Sequence, residues 1–138
     1  MAYDPNNIFA RIVRGEIPCH KVYEDADTLA FMDIMPQAEG HTLVVPKAAG
    51  ADVFTTPPEA VAAAIRTAQK VAQAVNKVFA PPGIMIAQLN GPAAGQSVFH
   101  LHFHIIPRYA GKDLGIHAAN QADPAVLAEH AARIRAAL

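Results

Sequence analysis

The sequence predicts an α+β fold of about five antiparallel strands with helices packed against them. Two observations carry this. Short apolar segments are separated by Asp, Gly and Pro, as strands joined by tight connections are. Two other segments, one of them long, carry apolar residues at spacings of four and three, as helices with one buried stripe do.

In chain order, Asn6-Asn7 can cap a short helix with the stripe Ile8, Phe9, Ile12 and Val13, closed by Gly15. His20 to Glu24 and Thr28 to Met32 read as strands across the turn-like Asp25-Ala26-Asp27. Pro36 to Gly40 turns the chain into a third strand, His41 to Val45, ended by Pro46. Thr56-Pro57-Pro58-Glu59 predicts a helix start, with Thr56 as cap, Pro57 in the first helical position and Glu59 where a capping box needs it. Val61, Ile65, Ala68, Ala72, Val75 and Phe79 then form the stripe of a long helix, stopped by Pro81-Pro82-Gly83. Ile84 to Leu89 reads as a strand, Asn90 to Gly95 as a loop, and Val98 to Ile106 as the last strand. Asp123-Pro124 opens a final helix with Leu127, Ala131, Ile134 and Leu138 on one side.

The 138 residues suit one domain, 1–138, with no repeat or linker. At 52% hydrophobic and 17% charged, the chain can bury a core. A net charge of −1 offers no field to draw it to nucleic acid. The single cysteine, Cys19, excludes a disulfide within the chain and suits a reducing compartment; it reads as a small packing residue. With neither an apolar leader at the N-terminus nor a run of ~20 apolar residues, the expectation is a cytoplasmic protein off the membrane.

Three of the seven histidines, His100, His102 and His104, stand at alternate positions of His100-Leu101-His102-Phe103-His104. In a strand such residues share one face, ~6–7 Å apart, and Phe99, Leu101, Phe103 and Ile105 share the other. A polar face that happens to use histidine is one reading. A metal site is a second, since imidazole is a common ligand. Phosphoryl chemistry is a third: a neutral imidazole can attack phosphorus while its neighbours donate to phosphate oxygens. The preceding loop, with Gly91, Gly95, Gln96 and Ser97, favours an anion over a bare metal, because glycines let backbone N–H groups approach closely.

Gln96-Ser97-Val98-Phe99-His100-Leu101-His102-Phe103-His104-Ile105-Ile106 resembles the signature of the histidine triad (HIT) family, in which three histidines alternate with apolar residues. Ile8-Phe9 through Arg14-Gly15-Glu16-Ile17-Pro18, Ala30-Phe31-Met32-Asp33-Ile34, His41-Thr42-Leu43-Val44-Val45-Pro46-Lys47 and Asn90-Gly91 extend the likeness over roughly residues 6 to 110. Within the family, the loop and the Ile105-Ile106-Pro107-Arg108-Tyr109 end look most like the bacterial proteins. The absence of tryptophan departs from the Hint branch.

The resemblance implies a homodimeric HIT-like fold that binds a purine nucleotide and cleaves an α-phosphate linkage, such as that of a nucleoside phosphoramidate or dinucleoside polyphosphate. It implies His102 as nucleophile, His104 at the phosphate, His100 ordering the site, His41 as a supporting fourth histidine and Ser97 near the leaving group. Gln96, Val98 and Asn90 match phosphate-side or ribose-side positions, and Asp33 matches the acid that holds the ribose. Ile8, Phe9, Ile12, Phe31, Ile34 and Leu43 resemble the walls of the base pocket. Lys47 and Arg108 read as structural or solvated.

No cofactor is expected, and no metal. Many bacterial relatives carry zinc ligands at positions occupied here by Asn7, Ala10 and Ala49, and His100 alone cannot complete a tetrahedral site. Protein partners are open. A binding protein with vestigial hydrolysis is the competing reading. With a reference imidazole pKa of ~6.5, activity is expected to fall toward acid pH, and a flat profile from about pH 5 to 8 counts against a neutral His102 nucleophile.

Overall fold

The computed structural model describes residues 2–113 and 120–138. A short helix α1 (Ile8–Val13) precedes strands β1 (Lys21–Glu24), β2 (Thr28–Met32) and β3 (Thr42–Pro46). The long helix α2 (Pro58–Phe79), strand β4 (Gly83–Ala87), strand β5 (Phe103–Arg108) and helix α3 (Pro124–Ala137) follow. The five strands form one antiparallel sheet in the order β1-β2-β3-β5-β4.

Alternation along the central strands sorts two cores. Ala30, Met32, Val44, Phe103 and Ile105 point to one face and pack with Ala68, Val71 and Val75 of α2 and Leu127 and Ile134 of α3. Leu29, Phe31, Leu43 and Val45 point to the other, where Phe9 of α1 covers them with Ile12, Val13, Cys19 and Val98 at the margin. Val44 and Ile105 are fully buried. Each such side chain stabilises the fold by ~1.5–3 kcal/mol. α1 leaves part of the second face open, and the site lies there.

Two differences from the sequence expectation exceed a shift of one or two residues at an element's end. The last strand begins at Phe103, not Val98. Residues 98–102 run beside β3 without ladder pairing, and β3 pairs with β5 only from Val44–Phe103 to Thr42–Ile105. Thr56 does not cap α2: its hydroxyl donates to the Asp52 carbonyl at 2.6 Å, and Pro57 stands at the cap with no side-chain bond. The 52–56 turn packs so closely on Gly50 that a Cβ there would meet Thr56 Oγ1 at 2.1 Å, and the bond to Asp52 commits that hydroxyl to the turn. Asn7 and Asp123 do cap α1 and α3. Leu138 lies exposed beyond the buried stripe of α3, where His130 is buried instead. No helix among the described residues is long and apolar enough to cross a membrane.

Candidate active site

The open face holds a cavity of about 630 Å³. β5 brings His104 opposite Leu43 of β3 on one side and Ala87 of β4 on the other. His102 stands just before the strand, with its ring 4.9 Å from that of His104. Phe9 of α1 meets the His102 ring edge-on at 4.8 Å and the Phe31 ring at 5.5 Å. One short helix thus covers both the apolar wall and the second histidine.

Fixed backbone partners decide the histidine tautomers. His102 Nδ1 lies 2.7 Å from the His100 carbonyl, which can only accept, so Nδ1 carries the proton and Nε2 the lone pair. Every buried side-chain nitrogen and oxygen among the described residues has a partner, and Nε2 of His102 has none within the protein. That nitrogen is therefore open to the cavity. Gln37 N–H donates to His41 Nδ1 at 3.0 Å, so His41 carries its proton on Nε2 and donates to His104 Nδ1 at 3.0 Å. His104 in turn must carry its proton on Nε2. His100 Nε2–H donates to the Pro46 carbonyl at 2.7 Å, and its Nδ1 accepts from the Tyr3 hydroxyl at 2.7 Å.

Burial keeps these rings neutral. It pushes His102 down to about 4, against the pull of the His100 carbonyl. It pushes His41 down to about 3, with the neighbouring His104 and His102 adding to the effect. His100 and His104 are lowered for the same reason. Asp33 is raised by burial, opposed by the Met35 N–H that its carboxylate accepts. Its Oδ2 lies 3.5 Å from His41 Nε2, but with a neutral ring this contact is not an ion pair. Burial thus places protonation of the His102 ring at about 4, well below the free-imidazole value of ~6.5.

Asp33, His41 and His104 each place one potential metal-ligating atom within 4.8 Å of the others. The Gln37 N–H makes them a poor ligand set. A metal on His41 Nε2 would drive the ring proton onto Nδ1, against a peptide N–H that also donates. The Gln37 N–H, His41 and His104 form a hydrogen-bond chain that leaves His104 Nε2–H outside it, beside the cavity.

The structure brings Phe9, Phe31, Asp33, Ile34, His41 and Leu43 to the cavity, together with Ser97, Val98, His102 and His104. It does not bring His100, Gln96, Asn90, Ile8 or Ile12 into its lining. Buried Gln96 braces the glycine loop instead: Oε1 accepts from Gly91 N at 2.8 Å, and Nε2 donates to the Ala51 and Val98 carbonyls. Asn90 accepts from Val53 N and exchanges hydrogen bonds with Gln88. Ile8 is exposed, and Ile12 packs at the margin of the second core.

Sequence reasoning missed several wall residues, namely Pro18, Cys19, Met35 and, from β4 and its end, Met85, Ala87 and Leu89. It also missed Gln37 and Tyr3. Gln37 acts through its peptide N–H, which no side-chain pattern marks. Tyr3 lies 97 residues from its partner, and no local signal joins them.

Residues 14–111 match the sequence model of the HIT domain family. The chain belongs to the histidine triad family. It is 45% identical to "Protein hit" of Bacillus subtilis over 108 residues, 78% of this chain and 74% of that protein. It is 41% identical over 101 residues to the adenylylsulfatase HINT3 of Arabidopsis thaliana, 73% of this chain and 51% of that protein. Among solved structures, a HIT-like protein of Bartonella henselae superposes with a TM-score of 0.92 at 50% identity, covering 99% of this chain and 100% of that one. A zinc-bound histidine triad family protein of Mycobacterium smegmatis superposes at 0.83 with 38% identity, covering 96% and 92%. A histidine triad nucleotide-binding protein of Candida albicans superposes at 0.71 with 33% identity, covering 86% and 83%.

The zinc positions that the resemblance marks do not fit the ion in this HIT protein. Asn7 spends its side-chain oxygen on capping Ala10 N at 2.9 Å, Ala10 and Ala49 have no ligating atom, and both nitrogens of His100 are committed.

Proposed function

We propose that this chain is a nucleotide hydrolase or nucleotidyl transferase that cleaves an α-phosphate linkage of a purine nucleotide through a nucleotidyl-histidine. The observation that carries the reading is the lone pair of His102 Nε2, neutral by burial and open to the cavity. The cavity volume, about 630 Å³, falls in the range of small-ligand sites. Its apolar end, with Phe9, Phe31, Ile34 and Leu43, suits a base, and Asp33 suits the ribose hydroxyls.

In this reaction His102 Nε2 forms a bond to the α-phosphorus in line with the leaving group. The bond from phosphorus to the bridging oxygen or nitrogen breaks, and its electron pair leaves with that atom. His104 Nε2–H or the Ser97 hydroxyl donates a hydrogen bond to the departing atom, and a leaving group that needs a proton takes it from solvent. The ring becomes cationic on phosphorylation, and the His100 carbonyl on Nδ1–H stabilises that charge. Water then attacks phosphorus, the P–Nε2 bond breaks with its electron pair returning to Nε2, and the proton lost by the water passes to solvent. The peptide N–H groups of Ser97 and Val98 donate to no carbonyl among the described residues, which suits them to the phosphate oxygens.

A panel of adenosine and guanosine phosphoramidates, adenylylsulfate and dinucleoside polyphosphates, scored by product identity, tests the reading. Nucleoside monophosphate is the expected product. Tight binding without cleavage of any member supports instead a binding protein with vestigial hydrolysis.

We also propose a homodimer built on the β4 edge. β4 ends the sheet with no further strand beside it among the described residues. Its Ile86 is 44% exposed and shares a shallow groove with Ile65 of α2, itself 42% exposed. An apolar edge of this kind invites pairing with a second copy.

A further inference from the structure

We propose that Tyr3 is a positioning residue for the nucleophile: its hydroxyl locks the ring of His100, and His100 in turn holds His102. This inference rests on the nucleotide-transfer reading above, and it assigns a role to the segment ahead of α1.

His100 does not line the cavity and is 1% exposed, so it acts on substrate only through other residues. What it contributes is its carbonyl, the acceptor that fixes the tautomer and the direction of the His102 ring. That carbonyl sits in a stretch with no ladder bonds, because β5 begins only at Phe103. The backbone at His100 is therefore held by tethers. Leu101 N donates to the Gly50 carbonyl at 2.9 Å. The His100 ring is clamped between the Pro46 carbonyl and the Tyr3 hydroxyl, each at 2.7 Å. Among the described residues, the Tyr3 bond is the tether to His100 that comes from outside the β3 end and the loop that follows it. Tyr3 also packs its ring on His100, with centroids 5.8 Å apart.

The residues that would take zinc beside His100 are absent, and the Tyr3 O–H occupies the same Nδ1 that a metal would claim. A neutral hydroxyl at that nitrogen keeps the ring proton on Nε2 and keeps the clamp closed. The N-terminal segment thus touches the nucleophile from two sides: through Tyr3 by way of His100, and through Phe9, which packs edge-on against the His102 ring.

Tyr3→Phe removes the hydroxyl and keeps the ring. With a nucleotide that the wild type cleaves, kcat should fall about three- to tenfold, the weight of one neutral hydrogen bond, while KM stays within about twofold. In nitrogen-edited imidazole NMR, the His102 Nδ1–H signal should shift and exchange faster with water in Tyr3→Phe. A role confined to docking the N-terminus would lower the melting temperature and leave both kcat and that signal unchanged, and this result overturns the proposal. If the wild type cleaves no member of the substrate panel, the functional reading fails. The NMR comparison then decides the Tyr3 coupling alone: a changed His102 signal supports it and an unchanged one overturns it.

Discussion

In the proposed reaction, neighbouring histidines do different work because their ring nitrogens face different partners. His102 alone presents an unprotonated nitrogen to the cavity, so His102→Ala should abolish turnover, with no adjacent group able to form the nucleotidyl bond. His104→Ala removes a donor rather than the nucleophile and should slow turnover by ~10²–10⁴-fold without ending it. Acid-sensitive nucleotide label trapped during turnover should map to the peptide holding His102; a label on Cys19 would contradict the mechanism. The same burial sets the pH response. With His102 depressed to about 4, kcat/KM should stay level from about pH 8 to 5 and fall toward pH 4 as Nε2 takes a proton. A midpoint near the free-imidazole value of ~6.5 would show a nucleophile far more solvated than the structure places it.

The β2–β3 connection is the element that delivers both His41 and the Gln37 N–H bonded to it, and it is positioned from the far end of α2. Gly40 has φ +87°, and a Cβ there would meet the Phe79 ring at 2.8 Å. Phe79 is itself stacked edge-on against His130 of α3 at 5.1 Å, so it has little room to retreat. Gly40→Ala should cost ~1–3 kcal/mol in urea unfolding through backbone strain and overpacking. It should also slow turnover, because the turn it distorts fixes the His41–His104 chain. Gly83→Ala is the matched control: φ there is ordinary and nothing lies within 4 Å of the added Cβ, so stability should change little.

For the molecule as a whole, three buried histidines and the half-buried His104, all lowered by desolvation, give stability a pH signature. Their folded pKa values lie below the unfolded value of ~6.5, so the unfolded chain binds more protons over that interval. Stability is therefore full above about pH 6.5 and declines as pH falls toward about 4 for His102 and about 3 for His41. Melting temperatures measured at constant ionic strength from pH 7.5 to 4 should show this decline, and a level curve would mean the histidines are hydrated. The β4 edge carries the other whole-molecule expectation. Light scattering at micromolar concentration should give twice the chain mass, and Ile86→Lys, which sets a charge on the exposed edge, should give the monomer.

The strand and helix periods, the caps at Asn7 and Asp123 and the triad pattern were legible in the chain because each depends on residues a few positions apart. Alternation in β2 and β3 shows which side chains share a face, and the four-and-three spacing of α2 shows its buried stripe. The alternating pattern pointed to His102 and His104, and the resemblance to the family added Asp33 and His41. Their tautomers were not legible, since each is fixed by a group that the fold brings across: the His100 carbonyl for His102, the Gln37 N–H for His41, and Tyr3 for His100. The late start of β5 was hidden too. His100-Leu101-His102 alternates like a strand, but pairing is a property of the neighbouring chain, and β3 meets β5 only at Phe103. Depressed histidine basicity follows from burial on the α1 side of the sheet, where Phe9 closes over the ring. Local pattern selects the residues that can do the chemistry; packing across the sheet selects which nitrogen does it.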